Sequence, residues 1–156
     1  MRIRKGEEKD IDDILRLLVQ VNMVHHNIRP DLFKGPATKY NAKELSAILT
    51  EEENPVFVCV DDNDKLLGYI FCRTEVTEES PLRTGIKTLY IDDLCVDECA
   101  RGMNVGRTLY EYALDHAKEH DFYNVTLHVW EGNDNALKFY EKMGMTEQYT
   151  CLEKIL

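Results

Sequence analysis

The sequence predicts a mixed α/β domain built around a central sheet. Three observations carry this. Apolar runs at strand period alternate with runs at helical period along the whole chain. The segment Leu89–Tyr110, LYIDDLCVDECARGMNVGRTLY, passes from an apolar strand through a turn holding Gly102 and Gly106 into an amphipathic helix. The chain of 156 residues suits a single domain over residues 1–156, long enough to bury roughly 68–70% of its unfolded surface.

Each element follows from its local pattern. Residues 2–5, RIRK, read as a short strand. Glu7 to Val21 reads as a helix, because Ile11, Ile14, Leu15 and Leu18 recur at helical spacing and acidic residues crowd the first turn, where the dipole favours them. Asn22 to Tyr40 is irregular, broken by Pro30, Gly35 and Pro36. Asn41 to Glu52 returns to helix with Leu45, Ile48 and Leu49 on one stripe. Pro55 to Val60 is a continuous apolar run and fits a buried strand. The polar turn Asp61-Asp62-Asn63-Asp64 makes Leu66 to Val76 its hairpin partner. After a loop from Glu78 to Gly85, Ile86 to Asp97 is a strand. Asn104 to His120 is a helix with Val105, Leu109, Tyr112, Ala113 and Ala117 inward. Asn124 to Trp130 is a strand, Asp134 to Met143 a helix stopped by Gly144, and Met145 to Ile155 a last strand.

Composition narrows the function. Apolar and charged fractions of 44% and 31% are those of an ordinary globular chain. No apolar run approaches the roughly 20 residues a membrane span needs, so no membrane partner is expected. The charged N-terminus, MRIRKGEEKD, has no apolar stretch behind it, so a signal peptide is not expected and a cytoplasmic location is. The five cysteines are scattered, with no CxxC pair. They read as free thiols in a reducing compartment. Cys95 and Cys99 lack a second ligand pair, so no metal is expected. Net charge is −10 and no basic face is evident, which argues against nucleic acid. Acidity suits a cationic partner such as an amine, or simply solubility.

Two motifs carry the chemistry. In the first, a strand feeds a glycine-containing turn and a helix start, which aims several backbone N–H groups at one point, a common way to hold phosphate. Gly106 lets a phosphate approach the backbone, Gly102 relaxes the entry to the turn, and Arg101 and Arg107 can neutralise a diphosphate. The second is Asn133 to Met145, NDNALKFYEKMGM. With both in view, the chain resembles the GNAT family of N-acetyltransferases. That family's acyl-CoA motif, V-x-x-x-x-[RQ]-x-x-G-x-[GA], is matched by Val96, Arg101, Asn104 and Gly106. Its later pattern, N-x-x-A-x-x-x-Y-x-x-x-G-F, is matched by Asn133, Ala136, Tyr140, Gly144 and Met145. Asn104 stands where glycine is usual, and asparagine tolerates left-handed backbone better than most residues. Met145 replaces phenylalanine, a volume-tolerant change.

The resemblance implies a GNAT fold, a mixed and mostly antiparallel central sheet flanked by helices. It also implies direct transfer of an acetyl group from acetyl-CoA to a primary amine, on a small molecule or a peptide. The cofactor would lie against Leu94, Cys95, Val96, Arg101, Gly102, Met103, Asn104, Val105, Gly106, Arg107, Asn133 and Tyr140. Tyr140 matches the family's tyrosine that protonates the leaving sulfur; otherwise it is an aromatic core residue. Backbone N–H groups near Leu94, Cys95 and Val96 would receive the developing oxyanion. Relatives often dimerise, so a homodimer is an open possibility.

The base has several candidates. His128 shares the polar-aromatic face of its strand with Thr126 and Trp130, and histidine as a residue type can act as a base. In the branch that acetylates ribosomal-protein N-termini, the matching position carries a glutamate base. His128 is either that base, a water relay, or a strand histidine satisfied by a neighbour. Asp92 and Asp93 are the rivals, and Asp93 is preferred as nearer the splay that the family motif implies. The demand depends on the acceptor, since a lysine-like amine is neutral in roughly one molecule in 2,500 at pH 7 and an α-amine in roughly a tenth. The irregular segment 22–40 and the loop 77–85 would wall the acceptor pocket. Adjacent His25 and His26 make a poor metal pair, and capping suits them better. No Ser-His-Asp or Cys-His arrangement is apparent. Neither GxGxxG nor GxxxxGK[ST] occurs, against a nucleotide-binding domain. A catalytically silent CoA-binding regulatory module is the alternative from another functional class.

Overall fold

A computed structural model describes residues 1–156. Strand β1 (Arg2–Lys5) leads through a 3-10 turn at Glu8–Asp10 into helix α1 (Ile11–Ile28). Helix α2 (Ala42–Thr50) precedes strands β2 (Val56–Val60) and β3 (Leu66–Thr77). Strand β4 (Ile86–Val96), helix α3 (Val105–Glu119), strand β5 (Asn124–Thr126) and helix α4 (Asp134–Lys142) follow. The strands lie side by side in chain order. The first four are antiparallel, and β5 runs parallel to β4.

Helices cover both faces of the sheet. On one face, Ile11, Ile14, Leu17 and Leu18 of α1 and Leu45 and Leu49 of α2 bury Val56, Val58, Val60, Tyr69 and Phe71. On the other, Val105, Leu109, Tyr110, Ala113 and Ala117 of α3 cover Phe57, Cys59, Ile70, Cys72, Leu89 and Ile91, with Phe139 and Tyr140 of α4 packed alongside. Each such aliphatic side chain contributes about 1.5–3 kcal/mol.

Several sequence expectations need correction. Helix α1 runs on to Ile28 and stops one residue before the Arg29-Pro30 pair, where proline disfavours helical backbone in its predecessor. Its buried stripe includes Leu17, whereas Leu15 lies on the flank. In α3, Tyr110 is the buried tyrosine, and Tyr112 packs its edge on Phe57 at the surface, with ring centroids 4.8 Å apart. Strand β5 ends at Thr126 rather than Trp130, and residues 145–155 form no strand. The cause is shared: β5 pairs with β4 through only three residues, Asn124, Val125 and Thr126, which leaves little ladder for a neighbour. Tyr149, Leu152 and Ile155 therefore lie exposed.

Candidate active site

The site begins with a gap in the sheet. Strand β4 has partners on both sides only at Thr88, Leu89 and Tyr90. From Ile91 to Val96 it bonds to β3 alone, so alternate N–H and C=O groups face the space that opens towards Leu127–Trp130. A β-bulge sits at the start of that stretch. Cys72 pairs with Ile91 and Phe71 with Asp93, so Asp92 is the extra residue. A bulge sharpens twist and reverses which face later residues address. Ile91 lies in the α3 face, whereas Asp93 pairs opposite Phe71 and Cys95 lies in the α1/α2 face. Leu94 and Val96 return to the α3 face.

The bulge brings the acidic residues into distinct settings. The Tyr69 hydroxyl, in a fully buried ring, donates to Asp93 Oδ2 at 3.0 Å. Burial pushes the Asp93 carboxyl up to about 6, and the Asp92 charge adds to this against the Tyr69 hydrogen bond and the Lys39 ammonium. Asp92 is instead paired, with Lys39 on Oδ2 and Arg73 3.8 Å from Oδ1. Burial also pushes the Cys95 thiol up to about 12, which leaves no thiolate for nucleophilic attack.

Tyr140 reaches the gap from the opposite layer. Its ring meets Phe139 and Tyr110 at centroid distances of 5.0 Å and 6.0 Å. Burial, then the charge of Asp93, raise its pKa and keep the phenol protonated. The late motif is a helix with both ends tied. The Asn133 side chain accepts from Ala136 N–H at 3.4 Å at the start of α4. At its end Gly144 N–H bonds Glu141 C=O at 2.9 Å and Met145 N–H bonds Tyr140 C=O at 3.0 Å, a Schellman closure that uses the positive φ of Gly144. The pattern Asn133, Ala136, Tyr140, Gly144, Met145 is thus the frame that fixes Tyr140. Asn133, expected at the cofactor, spends its carbonyl oxygen on this cap.

His128 stands at the mouth of the gap. Its Nδ1 lies 3.2 Å from the Tyr90 hydroxyl and its Nε2 2.7 Å from the Tyr149 hydroxyl. Both ring nitrogens are therefore occupied, and neither bonds Asp93 or Tyr140.

The turn after β4 is held from α1. Gln20 Nε2 donates to Val96 C=O at 2.9 Å, and Arg16 pairs with Asp97 at 2.7 Å. Gly102 and Asn104 adopt positive φ of 80° and 62°, so Asn104 takes the left-handed conformation required of it. No side chain caps α3, and its first acceptor, Asn104 C=O, is taken by Thr108 N–H. The N–H groups of Val105, Gly106 and Arg107 therefore point outward together. Arg101 and Arg107 lie at the surface near Glu98 and Glu111, at 3.5 Å and 2.8 Å. The absent Cβ of Gly106 faces Val96, Phe139 and Leu94 at 3.4–3.8 Å. That glycine therefore also smooths the wall between β4 and α4.

The segment 22–40 is anchored on α1 and on Trp130. Phe33 packs on His25 and edge-on to Trp130, each with centroids 5.2 Å apart. His26 Nδ1 lies 2.7 Å from Phe33 C=O, and Tyr40 stacks on Phe71 at 6.0 Å. A cleft of about 450 Å³ lies between α1 and the start of α4, lined by Val24, Asn27, Ile28 and residues 132–135 with Lys138. The loop 77–85, expected at the acceptor, lies away from this region. It joins the paired ends Thr77 and Ile86, roughly 20 Å along β4 from Asp93. Tyr69 escaped sequence reasoning, because a tyrosine inside an apolar strand looks like core; only the bulge reveals its partner. No three His, Cys, Asp or Glu side chains gather as a metal site, and no helix is long and apolar enough to cross a membrane.

Known proteins resemble this chain in sequence and in fold. Residues 22–145 match the acetyltransferase (GNAT) family. An uncharacterised N-acetyltransferase of Methanocaldococcus jannaschii is 26% identical over 94% of this chain and 61% of its own length. The peptidyl-lysine N-acetyltransferase YjaB of Escherichia coli is 32% identical over 59% of the chain. The chain spans only 50–61% of the length of these two relatives. Among solved structures, a mutant form of the BH1408 protein of Bacillus halodurans superposes with a TM-score of 0.95 at 33% identity, covering 100% of this chain and 99% of that one. An aminoglycoside acetyltransferase from a soil metagenome shares the fold, with a TM-score of 0.73 at 21% identity. With the family matched over most of its length and the fold shared with solved acetyltransferases, the chain belongs to the GNAT family of acetyltransferases.

Proposed function

We propose that the protein is an acetyl-CoA-dependent N-acetyltransferase that passes an acetyl group directly to a primary amine. One observation carries the reading: the half-paired stretch Ile91–Val96 opens between Asp93 on one layer and Tyr140 on the other. The residues fit the donor. Outward N–H groups of Val105, Gly106 and Arg107, with Arg101 and Arg107 nearby, suit its diphosphate. Backbone groups of the stretch Leu94–Val96 that do not bond β3, apart from the Val96 C=O held by Gln20, suit its amide-bearing arm. When bound, acetyl-CoA supplies an activated thioester carbonyl.

The chain's own residues then have three tasks. Backbone N–H groups in the gap hold the carbonyl oxygen as it gains charge. Asp93 accepts a proton from the amine, with a carboxylate that remains basic near neutrality. Tyr140 donates to the departing sulfur. His128, bridged between Tyr90 and Tyr149, borders the entrance and is the second candidate for proton relay. Acceptors range, by analogy, from lysine side chains to small amines; the relatives include a peptidyl-lysine enzyme and a glucosamine 6-phosphate enzyme.

The test is release of free thiol from acetyl-CoA with a panel of peptide N-termini, lysine peptides, polyamines and amino sugars. Tyr140→Phe is expected to lower kcat by roughly 10²-fold with little change in KM. Heat protection by CoA without turnover of any amine would favour the silent CoA-binding module. No protection by CoA at all would overturn both.

A further inference from the structure

We propose that Tyr69 is a positioning residue for Asp93, its buried hydroxyl anchoring Oδ2 so that Oδ1 is left to take the proton from the incoming amine. This rests on the acetyl-transfer reading above.

The geometry is specific. Tyr69 is 0% exposed, and its ring packs edge-on to Phe71 with centroids 5.0 Å apart. Phenylalanine would fill the same space without burying a hydroxyl, which is costly unless paired. The hydroxyl's partner is Asp93 at 3.0 Å, and the bulge at Asp92 is what turns that carboxylate onto the face of Tyr69. In the proton step an N–H bond of the ammonium breaks, the proton passes to Oδ1, and the electron pair stays on nitrogen for attack on the carbonyl.

The groups around Asp93 leave it as the one that titrates near neutrality. Lys39, from the segment before α2, stays cationic against Asp92. Arg73 of β3 also faces Asp92. Cys95 of β4 and Tyr140 of α4 are both held neutral by burial. Tyr69 itself is pushed well above the ordinary phenol range by burial, with the charge of Asp93 adding to it. Its hydrogen bond lowers the Asp93 pKa, so removing the hydroxyl moves that carboxyl further up.

The experiment is the pH profile of kcat/KM for Tyr69→Phe, using an amine that the unaltered protein acetylates. The acid limb is expected to move up by about one pH unit, with about a tenfold loss below the limb and near-normal rates well above it. In an Asp93→Asn background, Tyr69→Phe is expected to add no further loss. An unmoved limb with losses that multiply across the two substitutions overturns the proposal. If Tyr69→Phe does not fold, Tyr69→Met, which fills the site without a hydroxyl, takes its place. If no amine is turned over, the acetyl-transfer reading has failed on its own account. The Asp93 carboxyl is then titrated by ¹³C NMR in both forms: an upward shift in Tyr69→Phe supports the coupling, and an unchanged titration overturns it.

Discussion

At the scale of single residues, Asp93 carries opposing demands. Its carboxyl is pushed up to about 6 by burial, against about 3.9 in an unfolded chain. Between these values the native state holds the proton more tightly than the unfolded chain. Stability therefore falls as pH rises from about 4 to about 6 and stays reduced above that. Asp93→Asn removes the penalty and keeps an acceptor for Tyr69. At pH 8 it is expected to raise the unfolding free energy by up to about 3 kcal/mol while suppressing amine acetylation, a trade of stability against activity. Thermal denaturation at pH 4 and pH 8 checks this, since the gain should vanish at the lower pH. At this scale, the sequence made Tyr140 legible through a spaced motif. It could not show Tyr69, because its meaning depends on a long-range pairing. Nor could it show that His128 is bracketed by Tyr90 and Tyr149, which are 59 residues apart in the chain.

At the scale of elements, both motifs reduce to helix ends. Helix α4 is closed at its start by Asn133 and at its end by Gly144 and Met145, whereas α3 is left uncapped so that its first N–H groups remain available. Asn104 precedes α3 with φ of 62°. Asn104→Gly is expected to leave stability within about 0.5 kcal/mol, while Asn104→Ala costs about 1 kcal/mol and weakens CoA binding, because alanine resists the left-handed conformation. Denaturant melts and CoA titration of the two variants separate backbone strain from side-chain chemistry. The hairpin β2–β3, the strand β4 and the helix α3 were legible from period and turn residues. The ends of α1 and β5 were not. The first is set by Pro30 against the continued apolar contacts of Val21, and the second by the divergence of β4 and β5 after Tyr90 and Thr126.

At the scale of the whole molecule, the net charge of −10 surrounds a gap that itself holds the carboxylates of Asp92 and Asp93. Cationic amines are therefore expected to be steered in. Raising salt from about 10 mM to about 150 mM shortens the Debye length from roughly 30 Å to roughly 8 Å. The kcat/KM for a polyamine should fall over that range, whereas that for an uncharged amine should change little; steady-state kinetics at both salts decide. The succession of elements and a central sheet flanked by helices follow from the patterns, whereas the side-by-side order of the strands shows only in the structure. The C-terminal segment was misread because Tyr149, Leu152 and Ile155 look like a strand but find no ladder. The bulge at Asp92 has one more consequence. A strand's two faces behave like odd and even numbers, and one inserted residue changes the parity of everything after it. Asp92 and Asp93 are adjacent in sequence, yet only one lies on the face of Tyr69. An alignment that slides a gap by one position here would exchange the carboxylate paired with Lys39 for the one bonded to Tyr69, without altering a single hydrophobic match.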